Sequence, residues 1–121
     1  MQPRVTAVLV VRRGGDALAH TLTALAHQTR RPDQLVIVDA TDDAAVTAQL
    51  ADAAPTHYVT PTNSAAGFGQ LVMAGTDQVP LAEQTSSPYG GIDEWFWMLR
   101  HDTAPDLRAL ERLLAAVEVA P

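Results

Sequence analysis

Val5-Thr6-Ala7-Val8-Leu9-Val10-Val11 is the stretch on which the reading of the fold turns. A strand with one wet face alternates apolar and polar residues. This run is apolar or β-branched throughout, the pattern of a parallel strand covered on both faces. Gly14-Gly15 ends it. Asp16 is expected to cap a helix in which Leu18, Leu22 and Leu25 recur at spacings of four and three along one face. That helix is expected to stop near Gln28, ahead of Pro32.

The same alternation continues outward. Leu35-Val36-Ile37-Val38 reads as a second strand ending at Asp39, and Thr41-Asp42-Asp43 as a polar loop and cap. Val46, Leu50 and Ala53 mark a short helix ended by Pro55, and His57-Tyr58-Val59-Thr60 a weak third strand. After a loop from Pro61 to Ala66, Gly67-Phe68-Gly69 opens a helix with Phe68, Leu71, Val72 and Gly75 on one side. Pro80 to Asp93, rich in Ser, Thr, Gly and Pro, is expected to be a mobile surface loop. Glu94 to Arg100 is the fourth strand, with His101-Asp102-Thr103 at its tip. A last helix is predicted from near Pro105, with Leu107, Leu110, Leu114 and Val117 as its apolar stripe. Strands alternating with helices predict a three-layer α/β domain spanning residues 1–121, with a mainly parallel sheet in the order 3-2-1-4.

Composition narrows the function. At 121 residues and 47% hydrophobic, the chain suits one domain with a real core. A net charge of −6 argues against general nucleic-acid binding, which rests on neutralising phosphates. With no cysteine, disulfides and thiolate metal sites are excluded. The first apolar run is too short to cross a bilayer and lacks the cleavage site of a signal peptide. All eight basic residues are arginine, so chemistries that need a lysine are excluded too.

In parallel sheets ligands bind outside the carboxyl ends of the strands, so the strand tips hold the candidates. Asp39 can accept hydrogen bonds from a ribose or base, or can serve as a loop aspartate beside Thr41. Asp102 can hold a divalent cation against a diphosphate, or cap the last helix, for which Thr103-x-x-Asp106 also fits a capping box. Val11 and Arg12 follow the first strand, and Arg12-Arg13 can approach a phosphate or a nucleobase or simply be solvated. Arg30-Arg31 are read as partners of a helix C-terminus. His20 and His27 lack metal-ligand spacing and are read as surface residues. Trp95 and Trp97 share one face of a strand, with core packing the simplest role. Gly67-Phe68-Gly69 lacks the third glycine of a dinucleotide fingerprint and follows the wrong strand, so a tight turn and close packing account for it.

The ordered segments resemble family 2 glycosyltransferases of the GT-A fold. The features that carry the resemblance are Gln28-Thr29-Arg30-Arg31-Pro32, Val36-Ile37-Val38-Asp39, Thr41-Asp42-Asp43, Ala66-Gly67-Phe68-Gly69 and the strand tip from Trp95 to Pro105. They run in the family's order from Arg4 to Val119, and are similar to the N-terminal domain of large actinobacterial members that carry membrane segments further on. The resemblance implies that Val11, Arg12, Asp39, Gly67 and Asp102 bind a nucleoside diphosphate sugar, with Asp102 on Mg²⁺ or Mn²⁺. It implies inverting transfer to a glycan or lipid hydroxyl in the cytoplasm, or at the cytoplasmic face of the cell envelope in a longer protein, with any membrane contact made by parts outside this chain.

Two departures shape that expectation. Position 103 is Thr where the family's acidic motif has a further carboxylate, so Asp102 stands alone. Asp93 and Glu94, read as preceding the strand, do not replace it. No residue matches the family's catalytic base, which is expected beyond residue 121, so the isolated chain is expected to be inactive. A degenerate GT-A domain with a regulatory or interaction role is the alternative. A signalling receiver is disfavoured by Arg12-Arg13 at the first strand tip and by the missing lysine. A nicotinamide enzyme is disfavoured by the missing glycine fingerprint.

Overall fold

β1 (Gln2–Val11) and β2 (Gln34–Asp39) form the interior of a four-stranded sheet, with β3 (His57–Val59) and β4 (Ile92–Arg100) at its edges. The order is β3-β2-β1-β4 and every pair is parallel, as the alternation predicts. This is a computed structural model, and it describes residues 2–79 and 92–119. The expected loop therefore lies outside the described residues except for Ile92 and Asp93, which belong to β4.

The β-branched run of β1 is uninterrupted because both faces are covered. Ala7, Leu9 and Val11 cluster with Leu18 and Leu25 of α1 (Asp16–Ala26) and with Val46 and Leu50 of α2 (Ala44–Ala51). Val8 and Val10 point the other way, to Leu71 and Val72 of α3 (Phe68–Thr76). The chain steps from β1 to β2 to β3 with helices on one face, then returns past them to β4 with α3 on the opposite face. A parallel sheet with right-handed crossovers requires this placement. The result is a three-layer, Rossmann-like arrangement whose strand order reverses between β1 and β4.

Three glycines are explained by space or backbone. A Cβ on Gly75 would lie 2.8 Å from Val38 Cγ2, and one on Gly14 2.6 Å from Val46 Cγ2. Gly15, with φ of 99°, takes the N-cap position of α1 that the sequence assigned to Asp16, which instead lies in the first turn. A side chain is strained at that φ, so the chain enters the helix through the glycine. Gly67 and Gly69 have no atom within 4 Å of a built Cβ, so close packing does not account for them.

The C-terminal region departs most from expectation. α4 (Ala109–Val119) begins four residues after Pro105. Ala104 has φ of 39°, a left-handed conformation no helix continues through, and its N–H donates to Thr21 Oγ1 (3.0 Å). Thr103 does not cap the helix: its Oγ1 accepts from the Arg100 N–H at 2.9 Å, folding the tip back on β4. Asp106 makes the local cap instead, its Oδ1 accepting from Arg108 N (2.9 Å). Of the expected stripe, Leu110 is buried, whereas Leu107 and Val117 are exposed.

Gln28, 4% exposed, is the tie between α4 and the rest. Its Nε2 donates to Ala24 O (3.1 Å) and Asp106 O (2.7 Å), and its Oε1 accepts from Leu110 N (3.2 Å). Arg30 is not a dipole partner of α1, whose last turn has no basic residue; it pairs with Asp33 at 3.2 Å. Glu94 lies within β4 and pairs with Arg4 at 3.4 Å. Trp97 packs against the core and Trp95 is 40% exposed, while His20 and His27 are surface residues. No helix among the described residues is long and apolar enough to cross a membrane.

Candidate functional site

The carboxyl ends of the three longer strands converge. Val11 pairs with Asp39, and Val10 with Arg100. With neighbouring strands about 4.8 Å apart, Asp39 and His101 flank Val11 across about 10 Å. Val11 itself is fully buried and offers backbone only, its carbonyl accepting from Ala40 N at 2.9 Å.

Asp39, 5% exposed, is bound on both oxygens. Oδ1 accepts from the Thr41 N–H (3.0 Å) and hydroxyl (2.6 Å). Oδ2 accepts from Thr47 Oγ1 (2.8 Å), in the first turn of α2, and from the Tyr58 hydroxyl on β3. Register explains the last contact: Tyr58 pairs with Ile37, so it shares a sheet face with Asp39 two residues on. Burial pushes the Asp39 carboxyl up, but the hydrogen bonds from Thr41, Tyr58 and Thr47 outweigh it and hold it below 3.8. Burial and the bond to Asp39 push the Tyr58 phenol up.

The opposite side of the tip is closed by backbone and arginine. The Arg12 guanidinium donates to the Ala66 carbonyl, immediately before Gly67, the N-cap of α3. The Arg12 N–H donates to His101 Nδ1 at 3.2 Å, so the ring's proton sits on Nε2. His101 is buried, and its carbonyl accepts from Thr21 Oγ1 (2.8 Å). Ser64 Oγ donates to Asp42 Oδ2 (3.2 Å), joining the loops that precede α2 and α3. Asp42 adopts φ of 52°, which Asp tolerates better than most residues.

Asp102 lies exposed at the β4 tip, its nearest charged partner the Arg100 guanidinium at 3.6 Å. Among the described residues no group of three or more His, Asp or Glu gathers to hold a metal ion. One exposed carboxylate beside a guanidinium does not make a cation site from protein ligands alone, since Mg²⁺ and Ca²⁺ need about six or more oxygens. The residues present therefore do not fit a resident metal.

The five residues singled out from sequence thus meet at one end of the sheet in different states. Arg12 and Gly67 adjoin through Ala66, Asp39 is turned toward α2 and β3, and Asp102 stands at the far rim. Sequence reasoning missed Thr47 and Tyr58; it placed His101 at the strand tip and Gln28 in the Gln28–Pro32 motif without the contacts they make. No local motif marks Tyr58, whose reach to Asp39 depends on the register that pairs it with Ile37. A groove of about 540 Å³ lies elsewhere, between α1 and α2, lined by Leu22, Leu35, Ala53, His27, Asp33 and Asp52. It includes none of the strand-tip residues. Its charges are of both signs, and Asp33 is already tied to Val5 N (2.8 Å) and Arg30. The strand tips are the better candidate. No family model, curated protein or solved structure matches the chain.

Proposed function

We propose that the strand tips bind a nucleoside diphosphate sugar as the donor half of an inverting, GT-A-type glycosyltransferase. The supporting observation is the reversal of strand order between β1 and β4, beside which Arg12 adjoins Gly67 through Ala66, with Asp102 on the far rim of β4 and Asp39 one strand away. Crevices outside the carboxyl ends of strands at such a reversal are where open α/β sheets take ligands. In this reading Arg12 and the backbone at Gly67 lie nearest the phosphates, and Asp39 serves the nucleoside. Any Mg²⁺ or Mn²⁺ arrives with the diphosphate, whose oxygens and waters supply most of its ligands, and Asp102 adds one carboxylate. The acceptor is a glycan or lipid hydroxyl, and no residue of this chain is assigned as the base that takes its proton. The chain acts on the cytoplasmic side.

A second reading has its own observation. Asp102 faces Arg100, and Thr103 is spent on the Arg100 N–H, as expected of a degenerate domain of the same fold with an interaction role. Titration calorimetry with UDP and GDP, with and without Mn²⁺, separates the two. Micromolar to millimolar binding supports the donor-site reading, and no heat under any condition favours the degenerate domain. Sugar transfer by this chain alone would show that it does hold a base.

A further inference from the structure

A carboxylate has about four lone-pair positions, and in Asp39 all four are filled by this chain's own donors. Accepting a ligand's hydrogen bond requires one of them to leave. We infer that Tyr58 is the one that leaves: a nucleoside N–H or ribose hydroxyl reaches Asp39 by taking the place of the Tyr58 hydroxyl, so that Tyr58 gates the site. The inference rests on the nucleotide reading of the strand tips.

The choice among the four follows from geometry. The Thr41 N–H cannot withdraw without unmaking the turn that ends β2, and the Thr41 hydroxyl is held in that turn by the Asp43 N–H, which donates to it at 3.3 Å. Thr47 has a second acceptor, the Asp43 carbonyl at 3.1 Å, so its proton can swing away. Its Oγ1 would nevertheless stay 2.8 Å from Oδ2, because α2 fixes it, and no room would open. Tyr58 differs on each count. It reaches in from β3, a three-residue edge strand, the residue is 38% exposed, and a side-chain rotation sends the hydroxyl to water. Its departure vacates a lone pair and the volume in front of it. Burial first, and then the bond to Asp39, raises the Tyr58 phenol; the same bond, after that of Thr41, helps to hold the Asp39 carboxyl low against its burial. A ligand that must displace an internal donor binds more weakly by the cost of that exchange.

The test compares UDP binding by calorimetry to the wild type, Tyr58→Phe, Asp39→Asn and the double variant. Phe keeps the ring and removes only the competing hydroxyl, so Tyr58→Phe is expected to bind UDP about five- to thirty-fold tighter, the size of one exchanged hydrogen bond. In the Asp39→Asn background the gain should vanish, which a merely structural role for Tyr58 would not produce. A second measurement leaves both Tyr58 and Asp39 in place. Tyr58 and Tyr89 are the two tyrosines, so 3-fluorotyrosine in a Tyr89→Phe protein gives one ¹⁹F resonance, which should move on saturation with UDP. UDP binding with that resonance unmoved, or with Tyr58→Phe no tighter than wild type, overturns the gate and leaves the nucleotide reading standing. UDP binding to none of the four proteins removes the nucleotide reading, and the gate with it.

Discussion

Replacing Gly69 and Gly75 by alanine, one at a time, applies the same change to one helix with opposite expected signs. In a helix interior alanine is favoured over glycine by about 1 kcal/mol, somewhat less near the ends where both residues lie. At Gly69 the added methyl meets nothing within 4 Å, so the gain stands and Gly69→Ala is stabilised by roughly 0.5–1 kcal/mol. At Gly75 the methyl would lie 2.8 Å from Val38 Cγ2, 3.0 Å from Val8 Cγ1 and 3.3 Å from Val36 Cγ1, where carbon atoms prefer about 3.5–4.0 Å. All three valines are buried and stiff at χ1, so none turns aside cheaply. α3 must lift from the sheet instead. Overpacking of this kind costs about 1–3 kcal/mol, which exceeds the propensity gain and leaves a net loss of roughly 1–2 kcal/mol. For a domain of this size that corresponds to about 2–4 °C up for Gly69→Ala and about 4–8 °C down for Gly75→Ala in thermal unfolding followed by far-UV circular dichroism. Equal or higher stability of Gly75→Ala would mean that α3 does not rest on the three valines as described, and the argument from close approach would fall.

Three further outcomes are expected. Gln28→Ala should cost roughly 2–4 kcal/mol in urea unfolding, because the buried amide serves Asp106 O and Leu110 N together, and amide exchange should rise first in α4. The Asp39 carboxyl is held below its unfolded value of 3.8, so its contribution is complete above that value and lost as pH falls through the lower folded one; urea midpoints of Asp39→Asn should lack this acid-side fall and converge on the wild type there. Asp102→Asn should abolish any strengthening of UDP binding by Mn²⁺ and leave metal-free binding unchanged, and a persistent Mn²⁺ effect in calorimetry would remove Asp102 from the cation's ligands.

The sheet was legible because its signals are local and redundant. The run from Val5 to Val11 could be continuous only with helices on both faces, and the expected order 3-2-1-4 is the one the sheet adopts, with right-handed crossovers putting α3 on the face opposite α1 and α2. The start of α4 was not legible for the opposite reason. Pro105 and the Thr103–Asp106 pair make a valid helix start in isolation. They lose to two contacts distant in sequence, Ala104 N on Thr21 and Gln28 on Asp106 and Leu110, which fix a left-handed residue just ahead of the proline. Tertiary hydrogen bonds overrode a sound local signal. Arg30 repeats the lesson: a basic residue just past a helix end reads as a dipole partner until the chain turns and offers it Asp33.

At the strand tips, sequence gives position and withholds orientation. That Asp39 ends a buried strand was readable from Val36-Ile37-Val38, since a charge terminates what the apolar run begins. Whether its oxygens face a ligand or the protein depends on donors at positions 41, 47 and 58, two, eight and nineteen residues away, and only the first is visible as a local motif. Thr47 reaches Asp39 because α2 starts at Ala44, and Tyr58 because β3 pairs Tyr58 with Ile37 rather than with Val36 or Val38. A one-residue slip of that register would turn Tyr58 to the opposite face of the sheet and leave Asp39 a vacant lone pair. Access to the carboxylate is thus set by the pairing of a three-residue edge strand.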